Sequence, residues 1–438
     1  MSLSRLSPEV QEIKSKLDNF VLQRCQPAEV EYENHLKNRI GRERWTLDAI
    51  PPCIERLKEE AKDLGLWNLF IPPHLTCGIP SEFLPSTVLS YREYGILCES
   101  MGKSFLTPEA CNCNAPDTGN MEVLMHFGTP LQRERFLLPL LQGKIRSCFL
   151  MTEPDVASSD ATNIETTLTR LEGPNGEISY LLNGSKWWST GAMDPRCKVG
   201  FVLARMDYSQ CPNIQLNARN LSAHRAHTVV IVDMKDVEMV RPLTVMGYDD
   251  APQGHAHVKL NNIVVTPQDL IIGEGSGFQV AQARLGPGRI HHCMRAVGMA
   301  VRCYDLMLER ALSRQTFGSM LAEHGLCQAM IADSASDIEA ARLLTLSCAE
   351  KMDMDGGARA ARGMIAIIKV AIPNLALRVV DRALQIHGGA GFHEDLPLAR
   401  ILVGLRTLRV ADGPDAVHQR SVALIELKKA RKKLQSKL

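Results

Sequence analysis

The spacing of hydrophobic positions changes character twice along the chain, and the two changes divide it into three stretches. Over the first 145 or so residues the apolar positions recur at helical spacing. The segment from Ala49 to Gly65 places Ile54, Leu57, Ala61 and Leu64 three or four residues apart, with Gly65 as the stop. Residues 128–147, GTPLQRERFLLPLLQGKIRS, predict a short helix of mixed charge closed by Gly143. Between about 147 and 265 short β-branched segments take over: ISYLLNG, KVGFVLARMD, HTVVIVDM and HVKLNNIVVT, separated by turn residues. Asn183-Gly184 carries a hairpin signal between ISYLL and SKWWS, because Asn-Gly readily takes the positive φ angles of a type I′ turn. From about 275 long helical patterns return, over 290–314, 319–351, 358–387 and 397–434.

This order predicts a mixed α and β fold: an N-terminal helical domain over 1–146, a middle β domain over 147–270 and a C-terminal helical bundle over 271–438. It lacks the β-α alternation of a doubly wound sheet, which argues against a Rossmann domain. The strings GEGSG (273–277) and GPG (286–288) do not form GxGxxG after a strand and read as turns before a helix. The polar segment 208–224 reads as a surface loop between two strands.

Composition narrows the classes. With 438 residues, 45% of them hydrophobic, the chain buries enough surface to need no disulfide or metal staple. Lys and Arg number 50 against 49 Asp and Glu, a net charge of +1. That balance predicts no nucleic-acid partner and no general membrane-surface role, both of which need surplus positive charge. No apolar run predicts a transmembrane segment. Thirteen cysteines without a CxxC spacing predict free thiols, a thiol-tolerant compartment and no metal site. The opening residues MSLSRLSPEVQEIKSKL lack the apolar core of a signal peptide, and Glu9 and Glu12 are unlike a mitochondrial presequence. They suggest a soluble intracellular protein.

Four motifs then occur in order: MTEPDVASSDATN (151–163), NGSKWWSTG (183–191), RQTFG (314–318) and QIHGGAGF (385–392). Together they resemble the acyl-CoA dehydrogenase family over about residues 45–425. The resemblance is greatest to the large-chain branch, family members ten and eleven, in which a phosphotransferase-like domain precedes this unit. GLWNLFIP, APDTGNMEV, TVMGYDDAP and LGPGRIHHCMR support that placement. The resemblance implies a helical domain, a β-barrel-like domain and a four-helix bundle, with FAD as cofactor and an acyl-CoA as substrate. It implies an electron-transferring flavoprotein as electron acceptor, or oxygen if the protein is an oxidase. It also implies a homodimer or homotetramer that shares its FAD sites between subunits.

Residue by residue, the resemblance assigns the Thr152 hydroxyl and the Met151 backbone to the polar edge of the flavin. It assigns Ser159 to the cofactor pyrophosphate. The segment is one residue longer than the commoner form, so Ser158 is the alternative. Trp187 and Trp188 on a strand point to opposite faces, so one of them at most faces a flavin, and the resemblance selects Trp188. It brings the Thr190 hydroxyl to flavin N5. Arg314, Gln315 and Thr316 resemble the segment that reaches the adenosine diphosphate half of a neighbouring subunit's FAD. Gln385, Gly388 and Gly389 resemble the loop approaching the same moiety.

The family's proton acceptor is commonly a glutamate before the last helix. The matching stretch is Val410-Ala411-Asp412-Gly413-Pro414-Asp415, so Asp412 stands in that place, with a helix N-cap as its bland reading. The family's other base position falls on Gly288, so it offers no second carboxylate. Removing an α-proton from a thioester calls for a desolvated carboxylate with a raised pKa, and for a donor to the thioester oxygen such as the Asp412 N–H. Gly413 accompanies it at the substrate. Arg289, His291, His292 and Arg295 crowd the opening of one helix. Arg289 and one histidine, His292, are candidates to receive a hydroxyl or phosphate on the acyl chain, with ion pairing in the bundle as the alternative.

The chain ends in Ser436-Lys437-Leu438, which matches the tripeptide read by the peroxisomal import receptor, with the mitochondrion as the alternative location. The sequence therefore points to FAD-dependent α,β-dehydrogenation of medium, long or 4-hydroxylated acyl-CoA to trans-2-enoyl-CoA in fatty-acid β-oxidation. The alternatives are a peroxisomal acyl-CoA oxidase and a non-catalytic assembly member of the family.

Overall fold

The structure, a computed structural model, describes residues 6–211, 225–354 and 357–436. Most of the 208–224 segment, with Lys437 and Leu438, lies outside the described residues.

The N-terminal third is helical, as its periodicity predicts. Helix α1 (Pro8–Phe20) starts where the Ser7 side chain accepts the Val10 N–H at 3.3 Å, with Pro8 in the first turn. Helix α2 (Gln26–Lys37) follows after a single π-helical turn. In α3 (Pro52–Asp63) Ile54, Leu57 and Ala61 are buried, but Leu64 lies beyond the helix and stays 38% exposed. Gly65 takes φ +73 and ends the run. Helix α4 (Tyr91–Gly102) opens with a reciprocal Ser90–Glu93 capping box. Helix α5 (Asp117–Phe127) completes the set used below.

The middle sheet contains β1 (Arg146–Leu150), β2 (Thr167–Glu172), β3 (Ile178–Thr190), β4 (Cys197–Asp207), β5 (His227–Asp233), β6 (Glu238–Leu243) and β7 (His255–Val265). Hydrogen bonding runs β5–β4–β2–β3–β7–β6, with β1 parallel to β4. The predicted hairpin at Asn183-Gly184 does not form: β3 runs straight through, paired with β2 and β7. The glycine serves crowding instead, since a Cβ on Gly184 would lie 2.4 Å from Thr166 Oγ1.

The C-terminal bundle contains α6 (Gly277–Ser313), α7 (Gly325–Asp353), α8 (Gly357–His387), α9 (Leu398–Leu408) and α10 (Asp415–Gln435). GEGSG does lead into a helix, but GPG lies inside α6, with Pro287 taken up by the helix interior. The single pattern over 397–434 is two helices broken at 409–414, where Gly413 and Pro414 interrupt it. Helix α8 is long and apolar enough to cross a membrane, yet Ile365, Ile368, Ile372, Val379 and Val380 on it pack into the bundle core.

Helices α4 and α6 touch backbone to backbone. A Cβ on Gly102 would lie 2.2 Å from the Arg295 carbonyl oxygen, and one on Gly298 would lie 2.0 Å from that of Glu99. Buried apolar residues form three clusters. One lies in the sheet, one lies in the bundle, and the N-terminal one is completed by Phe201, Ile231, Val280 and Met294 from the other two stretches.

A buried charge cluster joins the first two stretches. Arg146 meets Glu109 at 2.9 Å and also bonds Asp117, while Arg196 meets Glu109 at 2.8 Å and Asp194 at 2.8 Å. Lys58 reaches Glu109 at 3.3 Å. The Asp117 carboxylate also accepts the Ser147 N–H and hydroxyl, each at 2.7 Å. Burial opposes the charge on Glu109, and Arg146, Arg196 and Lys58 outweigh it, holding this carboxyl well below the usual range. Truncation of Arg146 to Ala leaves two buried carboxylates short of a partner. The expected loss is about 3–5 kcal/mol of folding free energy in chemical denaturation; a variant as stable as the parent would show the cluster to be energetically idle.

Candidate active site

The turn between α9 and α10 carries Asp412 and Gly413 in positive-φ conformations, +55 and +103. Two neighbours hold it there. Lys369 of α8 is 2% exposed and its Nζ donates to the carbonyls of Leu408 (2.6 Å) and Ala411 (2.8 Å). The Asp412 carbonyl accepts Arg289 Nε at 3.1 Å and lies 3.1 Å from His418 Nε2. A Cβ on Gly413 would lie 2.7 Å from that same His418 nitrogen, so glycine is required by space as well as by φ. Helix α10 starts at Asp415 with Pro414 at the N-cap position, so Asp412 is not its N-cap. The Asp412 backbone N–H has no partner among the described residues.

Helix α6 supplies the other wall. Its first half, which carries Pro287, brings His292 Nε2 to 3.6 Å from Asp412 Oδ2 and turns Arg289 onto the same turn. A Cβ on Gly288 would meet no atom within 4 Å, so open space borders this stretch. The four basic residues at 289–295 do not act as one patch. Arg295 is buried and bonds the Cys113 carbonyl and the Tyr94 hydroxyl. His291 is buried edge-on against Tyr94, 4.6 Å between centroids.

The electrostatics differ from the expectation of a raised pKa. Burial does push the Asp412 carboxyl up, but His292, Arg284, Lys369 and Arg289 outweigh it and hold it below its ordinary value. Burial also drives His292 down to about 4, so its ring is neutral at pH 7. The standing positive charges around the carboxylate at that pH are therefore Arg284, Lys369 and Arg289. Arg284 is placed by α5, where Asn120 Oδ1 accepts its Nε at 2.9 Å, and its guanidinium lies 4.3 Å from the Phe149 ring centroid. Nearby on α5, burial raises the Glu122 carboxyl to about 8, opposed only by Arg284.

A second group assembles around the end of β3. Lys186 is fully buried and donates to Glu153 Oε1 (2.8 Å) and to the carbonyls of Met151 (3.0 Å) and Leu203 (2.7 Å). Burial lowers the Lys186 ammonium to about 8 against the pull of Glu153. The Trp187 N–H bonds the Thr152 carbonyl at 2.9 Å, which ties the 151–153 segment beside β3. Thr152 and Ser159 are exposed, whereas the Ser158 hydroxyl is engaged by the Glu153 N–H at 2.9 Å. Trp188 takes φ +51 in a β-bulge and stands 41% exposed. Thr190 is exposed on the same strand end, its hydroxyl 3.0 Å from His255 Nδ1.

A third group lies on the bundle. Gln315–Thr316 and Ser319–Met320 (β8 and β9) form a small hairpin whose turn is Phe317 and Gly318, both at positive φ. Arg314, Gln315 and the wholly exposed Phe317 face outward, and Thr316 Oγ1 lies 3.2 Å from His324 Nε2. Gln385, Gly388 and Gly389 are likewise exposed, at the end of α8. Among the described residues no hydrogen bond joins this group to either of the others.

Sequence reading passed over Lys369, Arg284, Asp250, His255 and Glu122. Lys369 had a signal: a lone charge inside the apolar run MIAIIKVAI of a helix. The others are set by tertiary neighbours, and no local pattern marks them.

A helical, β, helical chain with an acidic turn facing the third-quarter helix and an exposed Trp–Thr strand end defines a flavin-dependent dehydrogenase architecture. The chain belongs to the acyl-CoA dehydrogenase family: residues 148–262 match its middle domain and 275–425 its C-terminal domain. It is 45% identical to acyl-CoA dehydrogenase family member 11 of Gallus gallus over 98% of this chain and 52% of that protein. It is 44% identical to the probable acyl-CoA dehydrogenase FadE2 of Mycobacterium tuberculosis, over 96% of both. The structure of a putative acyl-CoA dehydrogenase from Mycobacterium abscessus superposes with a TM-score of 0.85 at 40% identity, covering 97% of this chain and 99% of that one. The chain thus spans about half the length of the family-member-11 relative. FAD is the family's cofactor.

Removing a standing positive charge raises a neighbouring carboxyl's pKa. Arg284→Gln therefore moves the titration of the Asp412 carboxyl, followed by carboxyl NMR, to higher pH. An unmoved titration separates Arg284 from this carboxyl.

Proposed function

We propose that this chain binds FAD and an acyl-CoA thioester and removes hydrogen from Cα and Cβ to give the trans-2-enoyl-CoA, with Asp412 as base. The observation that carries the reading is the Asp412 turn: its carboxylate has no capping duty and faces His292 at 3.6 Å, on a helix that meets open space one residue before Arg289, at Gly288. The end of β3 fits a flavin. The bulge turns Trp188 outward as a flat apolar face, and the exposed Thr152 and Thr190 hydroxyls offer polar contacts near it. Ser159 is free for the pyrophosphate where Ser158 is engaged.

Bound FAD supplies the acceptor for the two electrons that leave with the β-hydrogen. The chain's own residues manage the proton and the developing charge. An Asp412 carboxylate oxygen takes the α-proton as the electron pair of that C–H bond forms the Cα=Cβ bond. The unpaired Asp412 N–H is free to donate to the thioester oxygen, which gathers negative charge. Arg284, Arg289 and Lys369 surround this point with positive potential, favourable to an enolate but also to the ionised form of the base. That environment makes Asp412 a weak base held in its reactive form across neutral pH, with the work of activation shifted onto enolate stabilisation.

Arg289 and His292 remain our candidates for a polar substituent on the acyl chain, a hydroxyl or phosphate, since both line the base while His291 and Arg295 are committed elsewhere. Subunit pairing through the β8–β9 hairpin is supported by the exposed Leu312, Phe317 and Leu326 around Arg314, and would bring Arg314, Gln315 and Thr316 to a neighbour's FAD. We also retain the peroxisomal address at Ser436-Lys437-Leu438, of which Ser436 is exposed after α10. An electron-transferring flavoprotein is the proposed electron acceptor, and peroxide formation on adding acyl-CoA would instead identify an oxidase.

Anaerobic addition of acyl-CoA should bleach the flavin of the parent protein, and Asp412→Ala should bleach at least a hundredfold slower (roughly the scale of general base catalysis). Bleaching at the parental rate removes Asp412 from the mechanism, and a purified parent without flavin colour favours the assembly-factor alternative. Arg289→Ala should lower turnover of hydroxylated acyl-CoA more than that of plain acyl-CoA. An unchanged ratio refers Arg289 to the turn alone.

A further inference from the structure

Thr190, His255 and Asp250 form a line of close polar contacts that ends where the flavin is proposed to sit. Thr190 and His255 face each other across β3 and β7. The Thr190 hydroxyl lies 3.0 Å from His255 Nδ1, and His255 Nε2 lies 3.3 Å from Asp250 Oδ2. Asp250 takes φ +52 in the loop before β7, and Arg400 of α9 stands 3.7 Å from its other oxygen. Burial works to raise the Asp250 carboxyl, but the His255 hydrogen bond and Arg400 outweigh it and hold it ionised. The remaining charges nearby are already matched: Arg400 also pairs with Glu33 at 3.1 Å, and Arg44 with Asp249 at 2.9 Å. The Trp188 ring meets His255 edge-on at 5.8 Å between centroids.

An ionised Asp250 keeps a proton on Nε2, so the state of Nδ1 decides which way the Thr190 hydroxyl points. With neutral His255, Nδ1 is bare and accepts the Thr190 proton, and the Thr190 oxygen shows a lone pair to its open side. With charged His255, Nδ1 donates to Thr190, and the hydroxyl proton turns outward. N5 of an oxidised flavin accepts a hydrogen bond, whereas N5–H of a reduced flavin donates one.

We propose that Asp250 and His255 are positioning residues that set the polarity of the Thr190 hydroxyl and thereby couple one proton on His255 to the redox state of the flavin. The inference rests on the seating of the flavin at Thr190 proposed above. Reduction by two electrons brings one proton to N5. Where His255 is charged beside the oxidised flavin and neutral beside the reduced one, the ring releases a proton to solvent, and net uptake falls to none. Across that interval the midpoint potential stops changing with pH; on either side it falls as pH rises.

The test is potentiometry of the FAD-loaded protein between about pH 5.5 and about pH 8.5, with His255→Asn and His255→Leu alongside. Asparagine keeps an acceptor near the position of Nδ1 but does not titrate, and leucine offers neither acceptor nor charge. The parent should show the flattened interval and both variants a continuous slope, His255→Asn matching the parent at high pH and His255→Leu lying below it. Flavin-loaded protein with one continuous slope, parallel to both variants, overturns the relay and leaves the flavin seating intact. So does an interval steeper than its flanks. A parent protein that takes up no FAD overturns the seating and the relay with it.

Discussion

The balanced cluster of Lys58, Glu109, Asp117, Arg146, Asp194 and Arg196 is the constraint on which the rest of the molecule depends. Each ion is costly to bury alone, and the cost falls only when all are placed together. The placement needs Glu109 and Asp117 from the helical stretch, and Arg146, Asp194 and Arg196 from the sheet. Arg196 has Asp194 and Glu109 has Lys58 within their own stretches, but Arg146 bonds Asp117 and Glu109 across them, so the two dock in one register. Hydrophobic packing alone tolerates sliding; paired charges at under 3 Å do not. From Asp117 the bonding continues through Ser147 and Asn120 to Arg284, which acts on the Asp412 carboxyl. The docking of two distant stretches and the electrostatics of Asp412 thus share one continuous network.

Asp412 itself shows how a fold can hold a carboxylate in a turn. The residue sits at positive φ, a conformation uncommon outside glycine though tolerated by aspartate better than by most residues, and its neighbours hold it there. Lys369 grips the two carbonyls on its N-terminal side, and Arg289 and His418 address its own. Lys369 gains hydrogen bonds that offset its burial, and it also adds positive potential to the carboxylate it positions. The Asp412 carboxyl is consequently fixed in place and depressed in basicity by the same side chain.

Much of this was legible in the sequence. The helical, β, helical order follows from a switch in hydrophobic period that a reader of the chain alone can see. Asp412, Trp188 and Thr190 were reachable through motif resemblance. What was not legible depended on partners distant in sequence. Asn183-Gly184 looks like a hairpin, yet β2 and β7 bond β3 on either side of it and keep the strand straight. The 289–295 cluster looks like one basic surface, yet Tyr94 and Cys113 of the helical stretch claim Arg295, and Tyr94 packs against His291. Burial pushes the carboxyl of Asp412 upward, as chemistry demands, but the four basic neighbours that reverse the outcome come from two helices. Local pattern specifies elements; the charge state of a buried group is a property of the assembled neighbourhood.

The crossing of α4 and α6 at Gly102 and Gly298 has a further meaning. Helices that meet through side chains hold their spacing within the give of those side chains. Here main chain rests on main chain, and the spacing is as stiff as the peptide groups themselves. Arg289 and His292 stand on α6 roughly two and a half and one and a half turns before Gly298, so the crossing acts as a bearing surface for the arm that carries them. The tolerance to which this stretch of α6 is machined is set by two hydrogen atoms in place of two methyl groups.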